Sequence, residues 1–279
     1  MEKGGLGGVI AGSGFTFKKK FGQNFISDSA LLAGIVDGAG VDKDTTVIEI
    51  GCGAGTLTRA LAEKAKFVYG YEIDTSLKPV LAKSLAGVDN AEIIFKDFTR
   101  VRIDELEKTL PPYKVVANLP YYITTPLIMQ LVENSEKCLS LTVMVQEEVA
   151  LRLCAEPGTP DYGAITANVA LRGECRLIQR VGREKFTPSP NVDSAVVRID
   201  LCPCRLKVDD VTTYKKVVRA AFSSRRKTLE NNLINGFSLP RAEARELIAS
   251  CKFAENVRGE TLSPGQFAQL ANAVKKIIK

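Results

Sequence analysis

Asn118-Leu119-Pro120-Tyr121 follows the apolar run Val115-Val116-Ala117 and sets an amide, a backbone carbonyl, a rigid proline and an aromatic ring at the end of an expected strand. Proline fixes its own φ, lacks an N–H and pushes the residue before it toward extended geometry. The Asn118 side-chain oxygen and the Leu119 carbonyl can therefore face one outside ligand. Two acceptors beside an aromatic ring suit a planar base that carries an exocyclic amine. Taken alone, the tetrapeptide is more simply a strand ending in a turn, with Tyr121 as a half-buried anchor. Other residues must decide between these readings.

A second group of residues has the chemistry of a nucleotide-type site. Val47-Ile48-Glu49-Ile50-Gly51-Cys52-Gly53-Ala54-Gly55 reads as a strand running into a glycine turn, with a helix beginning near Thr56. Glycines let a backbone approach a ligand closely, and a helix start offers unpaired N–H groups. Glu72 and Asp97 then fall at the tips of the next two expected strands. A carboxylate about 20 residues past a glycine turn is placed to accept from a ribose hydroxyl pair.

Other chemistries are excluded by composition. The 279 residues include no histidine, which removes imidazole zinc sites and any Ser-His or Cys-His nucleophilic machinery. The 7 cysteines (Cys52, Cys138, Cys154, Cys175, Cys202, Cys204, Cys251) contain no C-x-x-C pair, so reduced core thiols and no metal are expected.

The elements that must position these groups alternate in type. β-rich runs at Thr46 to Ile50, Phe67 to Ile73, Glu92 to Phe95, Lys114 to Ala117 and Ser140 to Val145 are separated by helical patterns, the signature of a parallel sheet. Ile165 to Leu171 and Ala195 to Leu201 have only the Gly182 to Asn191 loop between them and are expected to pair antiparallel at the sheet's end. Helices are expected near 211–222, 225–235, 240–250 and 264–278, with Pro240 and Pro264 early in the last two. The expected division is a flexible tail over 1–17, a large α/β domain over 18–205 and a small all-α domain over 206–279.

Charge is uneven along the chain. Net charge is +6, yet residues 211–279 carry 13 Lys and Arg against 5 Asp and Glu and residues 1–27 carry 4 against 1, leaving the middle acidic. Basic ends suit a polyanion, although solvated basic helices give the same composition. No apolar run approaches the roughly 18 residues that cross a bilayer, and Gly4 to Gly14 is too weakly apolar for a signal peptide. A cytoplasmic monomer is expected.

Five ordered motifs resemble one family. The E-x-G-x-G-x-G turn followed by Glu72 and Asp97 is similar to the S-adenosyl-L-methionine (SAM) methyltransferases rather than to NAD domains. Within that class N-L-P-Y resembles the adenine-N6 enzymes, as do Lys20-Phe21-Gly22-Gln23-Asn24-Phe25, Met144 to Ala150 and Phe186 to Ser194. Ala221-Phe222-Ser223-Ser224-Arg225-Arg226-Lys227-Thr228-Leu229 resembles the signature of the small-subunit (KsgA-type) rRNA adenine N6,N6-dimethyltransferases. The resemblance covers roughly residues 18–279; Ile26 stands where the family usually has Leu, and Cys52 occupies a variable position.

The resemblance implies a Rossmann-like class I SAM-dependent methyltransferase fold, a seven-stranded sheet with its last strand antiparallel, joined to a small all-α C-terminal domain. It implies cofactor contacts from Gln23, Asn24, Ile26, Gly51, Gly53, Glu72, Ile73, Asp97, Phe98 and Asn118, with Gly51 under the methionine part, Glu72 on the ribose and Asp97 at the adenine amine. Asn118, Leu119, Pro120 and Tyr121 would bind the target adenine, sandwiched between Tyr121 and Phe186. Lys18, Lys19, Lys20, Arg225, Arg226 and Lys227 would hold RNA phosphates. The implied substrate is 16S rRNA in the small ribosomal subunit, dimethylated at two adjacent adenosines of the 3′-terminal hairpin. An Erm-type enzyme acting on large-subunit RNA, a non-catalytic assembly factor and a small-molecule methyltransferase remain the competing readings.

Overall fold

The computed structural model describes residues 24–202 and 205–278. Lys18, Lys19, Lys20 and Gln23 lie outside the described residues.

Nine strands, β1 (Phe25–Ile26), β2 (Thr46–Ile50), β3 (Phe67–Glu72), β4 (Ala91–Phe95), β5 (Tyr113–Asn118), β6 (Cys138–Gln146), β7 (Gly173–Val181), β8 (Phe186–Thr187) and β9 (Ser194–Leu201), form two sheets among the described residues. The larger runs β4-β3-β2-β5-β6-β9-β7, and β1 pairs with β8 in a separate ribbon. Pairs β4-β3, β3-β2, β2-β5 and β5-β6 are parallel, while β6-β9 is antiparallel. All of β2 is buried, as a strand covered on both faces must be.

The crossovers carry α1 (Ser29–Ala39), α2 (Thr56–Lys64), α3 (Lys78–Ser84), α4 (Ile103–Thr109), α5 (Thr124–Asn134) and α6 (Glu147–Leu153). Asp28 caps α1 by accepting from Leu31 N, and Gly40 ends it at φ 61°, a left-handed value that favours glycine. Leu31, Leu32, Ile35 and Val36 of α1 pack with Val47, Val116, Met144 and Val196 in one core. Burying each such side chain is worth about 1.5–3 kcal/mol.

The sequence reading of the sheet's end needs correction. Ile165 to Leu171 is not a strand: Ala164–Ala170 is helix α7, and the partner of β9 is β7. Alanine favours helix, and a short apolar run has no periodicity that separates the two states. β7 is an edge strand in which Glu174, Arg176, Gln179 and Arg180 interrupt the apolar residues, so it lacks the continuous apolar run of its neighbours.

The chain divides into two compact units, and the division is not a single cut near residue 205. Among the described residues, one comprises 24–150 and 176–201 and the other 151–175, 202 and 205–278. In the second unit Tyr162, Ala167 and Leu171 share a core with Tyr214, Val217 and Val218, which is why residues 151–175 group with the C-terminal helices. Those helices are α8 (Val211–Ala221), α9 (Leu229–Phe237), α10 (Arg241–Ser250) and α11 (Pro264–Ile277). Thr228 caps α9, so Arg225 to Lys227 precede that helix rather than open it. Ser263 and Gln266 form a capping box before α11, with Pro264 at its first position. No described helix is long and apolar enough to cross a membrane.

A buried carboxylate fixes the start of β5. Glu107 accepts from Tyr113 Oη at 2.9 Å, Glu136 N at 2.9 Å and Lys137 N at 3.1 Å, and also from Ser135 Oγ. Burial opposes its charge, but these donors outweigh it and hold its pKa below the usual carboxylate value. A depressed folded pKa contributes stability that is present above the unfolded pKa and is lost as pH falls through the folded one. Glu107→Gln is therefore expected to destabilise the protein by about 1–3 kcal/mol at pH 7. Urea unfolding should show the gap from wild type narrowing as pH falls below the carboxylate range; a gap that does not change with pH contradicts the assignment.

Candidate active site

The glycine turn after β2 is built from conformations that side chains resist. Gly51, Gly53 and Gly55 have φ of 80°, 54° and 81°. A Cβ at Gly53 would lie 2.9 Å from the Phe25 ring, so this residue must also be small. The turn is tied to β3: Gly51 N donates to Tyr71 O at 2.8 Å and Gly53 N to Glu72 Oε2 at 2.9 Å. Glu72 Oε1 accepts from Asp74 N at 2.8 Å. Each carboxylate oxygen thus takes one backbone N–H and keeps a lone pair for a ligand. Burial, countered by those backbone donors, raises the Glu72 pKa.

A cavity of about 240 Å³ opens where the carboxyl ends of β2, β3 and β5 meet. Ligands of open α/β sheets bind at this edge. Gly51, Gly53, Glu72, Ile73, Asp97 and Phe98 all line it, as do Asn24, Ile26 and the whole of Asn118 to Tyr121. Asp97 Oδ1 is already committed, accepting from Thr99 N at 3.0 Å and Thr99 Oγ1 at 2.6 Å. The N-terminal strand closes one side: Thr56 Oγ1 donates to Ile26 O at 2.8 Å, and the Phe25 ring covers Gly53.

Asn118 is held from the same strand. Its Nδ2 donates to Asn24 O at 2.8 Å, which commits the amide nitrogen and leaves Oδ1 as an acceptor on the cavity wall. Leu119 N donates to Met144 O at 3.3 Å, fixing the backbone of the tetrapeptide to β6. Tyr121 Oη lies 2.8 Å from Ser194 Oγ at the start of β9, so the ring is tethered at its far end. The turn reading holds, since Tyr121–Ile123 is a short 3-10 turn, and the residues of that turn also line the cavity.

Two expected residues are placed elsewhere. Phe186 is 5% exposed, packed in the core with Ile26 and Val36, and does not line the cavity. It pairs with Ile26 across β1-β8, so it supports the wall rather than facing a ligand. Arg225 is exposed like its neighbours, but two of its five donors are engaged within the helical unit, at Pro160 O (2.6 Å) and Tyr162 O (2.8 Å). Arg226 and Lys227 are exposed.

Among the lining residues that the sequence did not single out, Tyr122 and Glu49 stand out. Tyr122 is 61% exposed at the rim, directly after the recognised tetrapeptide. Glu49 is 1% exposed and its Oε2 has no hydrogen-bond partner. Burial pushes the Glu49 pKa up to about 8, with Thr58 and Cys52 pulling the other way. A charged residue in the middle of an otherwise apolar strand is the signal that marks it. Glu72 and Asp97, against Lys96 alone among the basic residues of the lining, suit a ligand rich in hydroxyl and amine donors and carrying positive charge.

The family profile of ribosomal RNA adenine dimethylase matches residues 14–276. The chain is 44% identical over 281 residues to the ribosomal RNA small subunit methyltransferase A of Geobacillus thermodenitrificans, covering 97% of this chain and 95% of that one. It is 43% identical over 275 residues to the protein of the same name from Streptococcus sanguinis, covering 96% and 95%. The solved structure of the 23S rRNA methyltransferase ErmE superposes with a TM-score of 0.71 at 27% identity, over 90% of this chain and 100% of that one. A dimethyladenosine transferase from Plasmodium falciparum superposes with a TM-score of 0.79 at 24% identity, over 90% and 98%, and shows the same fold. The sheet order, with its antiparallel penultimate strand, is that of the class I SAM-dependent methyltransferases. Profile and sequence relatives agree over nearly the whole length, and the chain belongs to the ribosomal RNA adenine dimethylase family.

Proposed function

We propose that this protein transfers methyl groups from SAM to N6 of two adjacent adenosines in the 3′-terminal hairpin loop of 16S rRNA, acting on the small ribosomal subunit during its assembly. The observation that carries the reading is the Asn118 amide, whose nitrogen is committed to Asn24 O so that its oxygen can accept from an exocyclic amine. Small-subunit specificity rests on the 44% identity to a small-subunit enzyme over nearly the full chain, against 27% to ErmE.

The lining residues fit SAM. The unpartnered Glu49 oxygen and the two half-used Glu72 oxygens offer acceptors to ribose hydroxyls and an ammonium group, and the cradle at Gly53 admits no Cβ. Asp97 Oδ2 is paired with the exposed Arg100 Nε at 3.5 Å and would share its remaining acceptor capacity with an adenine amine. When bound, SAM supplies an activated methyl on a sulfonium, so no general base is needed to make the electrophile.

The protein's part is to orient and polarise the target. The N6 lone pair of adenine is delocalised into its ring. Acceptance of its hydrogens by Asn118 Oδ1 and Leu119 O draws N6 toward tetrahedral geometry and stabilises the positive charge that develops there. After transfer N6 is acidic enough to lose its proton to water, which agrees with a chain lacking histidine. The adenine must leave its stack to enter, and an aromatic face offsets that by about 1–3 kcal/mol. Tyr121 and the exposed Tyr122 are positioned for this; Phe186 acts indirectly, by holding Ile26 in the wall.

Methyl-labelled SAM with unmethylated small and large subunits tests the reading. Label is expected in small-subunit RNA alone, mapping to the 3′-terminal hairpin; label confined to large-subunit RNA would overturn it. Asn118→Ala should lower turnover by about 10²–10³-fold while SAM binding stays measurable. In the same assay Tyr122→Ala is expected to raise KM for RNA by about 5–100-fold, whereas Phe186→Leu should act mainly on stability. Equal KM effects from both would return Phe186 to the stacking role. Arg226→Ala/Lys227→Ala should flatten the salt dependence of RNA binding, with a log–log slope smaller by about 1–2; an unchanged slope means these residues do not touch phosphate.

A further inference from the structure

Cys154 and Cys175 belong to the helical unit, and neither is among the residues that line the cavity. Cys154 follows α6, and Cys175 is the third residue of β7. Their sulfur atoms are 2.9 Å apart, sharing a hydrogen bond across 21 positions of sequence. Both are partly exposed. A covalent bond needs the sulfurs to approach by only about 1 Å more.

Of the other thiols, Cys202 is exposed and has no thiol partner among the described residues. Cys52, Cys138 and Cys251 are buried, and burial raises their pKa, that of Cys138 to about 12. The hydrogen bond from Cys175 instead holds Cys154 below the usual thiol value. A thiolate-prone, accessible sulfur beside a second thiol is the arrangement of an attacking and a resolving cysteine. A metal is not the better reading, since no group of three His, Cys, Asp or Glu able to hold one occurs among the described residues.

We propose that Cys154 and Cys175 form a reversible disulfide by exchange with a low-molecular-weight disulfide. The Cys154 thiolate attacks one sulfur of that reagent, forming a mixed disulfide and expelling one thiolate. Cys175 then attacks Cys154 Sγ, breaking the mixed disulfide; its proton leaves with the second reagent thiol. Two protein thiols are oxidised and one disulfide is reduced to two thiols. The bond closes a ring around α7 and the Pro160 to Tyr162 turn, whose carbonyls hold Arg225. The segment that anchors the basic turn is thereby locked.

Incubation of the full chain with oxidised glutathione, then alkylation and peptide mapping, tests this. The expected product is a Cys154–Cys175 linked peptide, with the protein lighter by two hydrogens and melting about 5 °C or more higher, reversed by dithiothreitol. Cys175→Ser should stop at glutathione attached to Cys154. Wild-type protein in which both cysteines remain alkylatable, or in which glutathione persists on Cys154 beside a free Cys175, overturns the proposal, and neither result depends on a variant folding.

Discussion

The hydrogen bond from Asn118 Nδ2 to Asn24 O is the constraint on which the site depends, because it joins two segments 94 positions apart and assigns the two ends of one amide. A neutral hydrogen bond adds only about 0.5–1.5 kcal/mol, far too little to hold the fold. The same energy biases the orientation of an amide by roughly three- to tenfold. Its partners reinforce it: Thr56 Oγ1 pins Ile26, and Leu119 N pins the tetrapeptide to Met144. The acceptor is thus prepared by the fold and does not have to be organised when a base arrives.

The rest of the cavity shows how carboxyl groups are tolerated where the sheet is dry. An isolated buried carboxylate is expensive. Glu72 meets that demand with two backbone donors, whereas Glu49 keeps its proton near neutral pH and so buries a neutral group. Glu107, far from the cavity, takes the opposite course and stays charged under four donors. The first two are open to a ligand and the third is closed, which separates binding carboxylates from a structural one.

Much of this was legible from residue types. Strands β2 to β6 are continuous apolar runs and were found near their observed bounds, and Gly51, Gly53, Glu72 and Asp97 fell at strand ends because the parallel sheet puts them there. What was not legible depended on packing. β7 is an edge strand of mixed polar and apolar residues and α7 an alanine-rich run, so each resembled something else. Phe186 reads as a stacking ring in its P-x-P context, yet pairing with Ile26 turns it into the core. Arg225 reads as a phosphate ligand, yet two carbonyls from a distant turn engage two of its donors. Glu49 could be seen but not interpreted until its unpartnered oxygen was placed in the cavity wall.

The central claim is that Asn118 offers oxygen, not nitrogen, to the target base. A structure with S-adenosylhomocysteine and an adenosine nucleotide bound, at a resolution that distinguishes the amide ends, tests it most directly. The account predicts Nδ2 still bonded to Asn24 O and Oδ1 within about 3 Å of the exocyclic amine. An amide turned so that Nδ2 faces the base, or an exocyclic amine that meets neither Oδ1 nor Leu119 O, would contradict it.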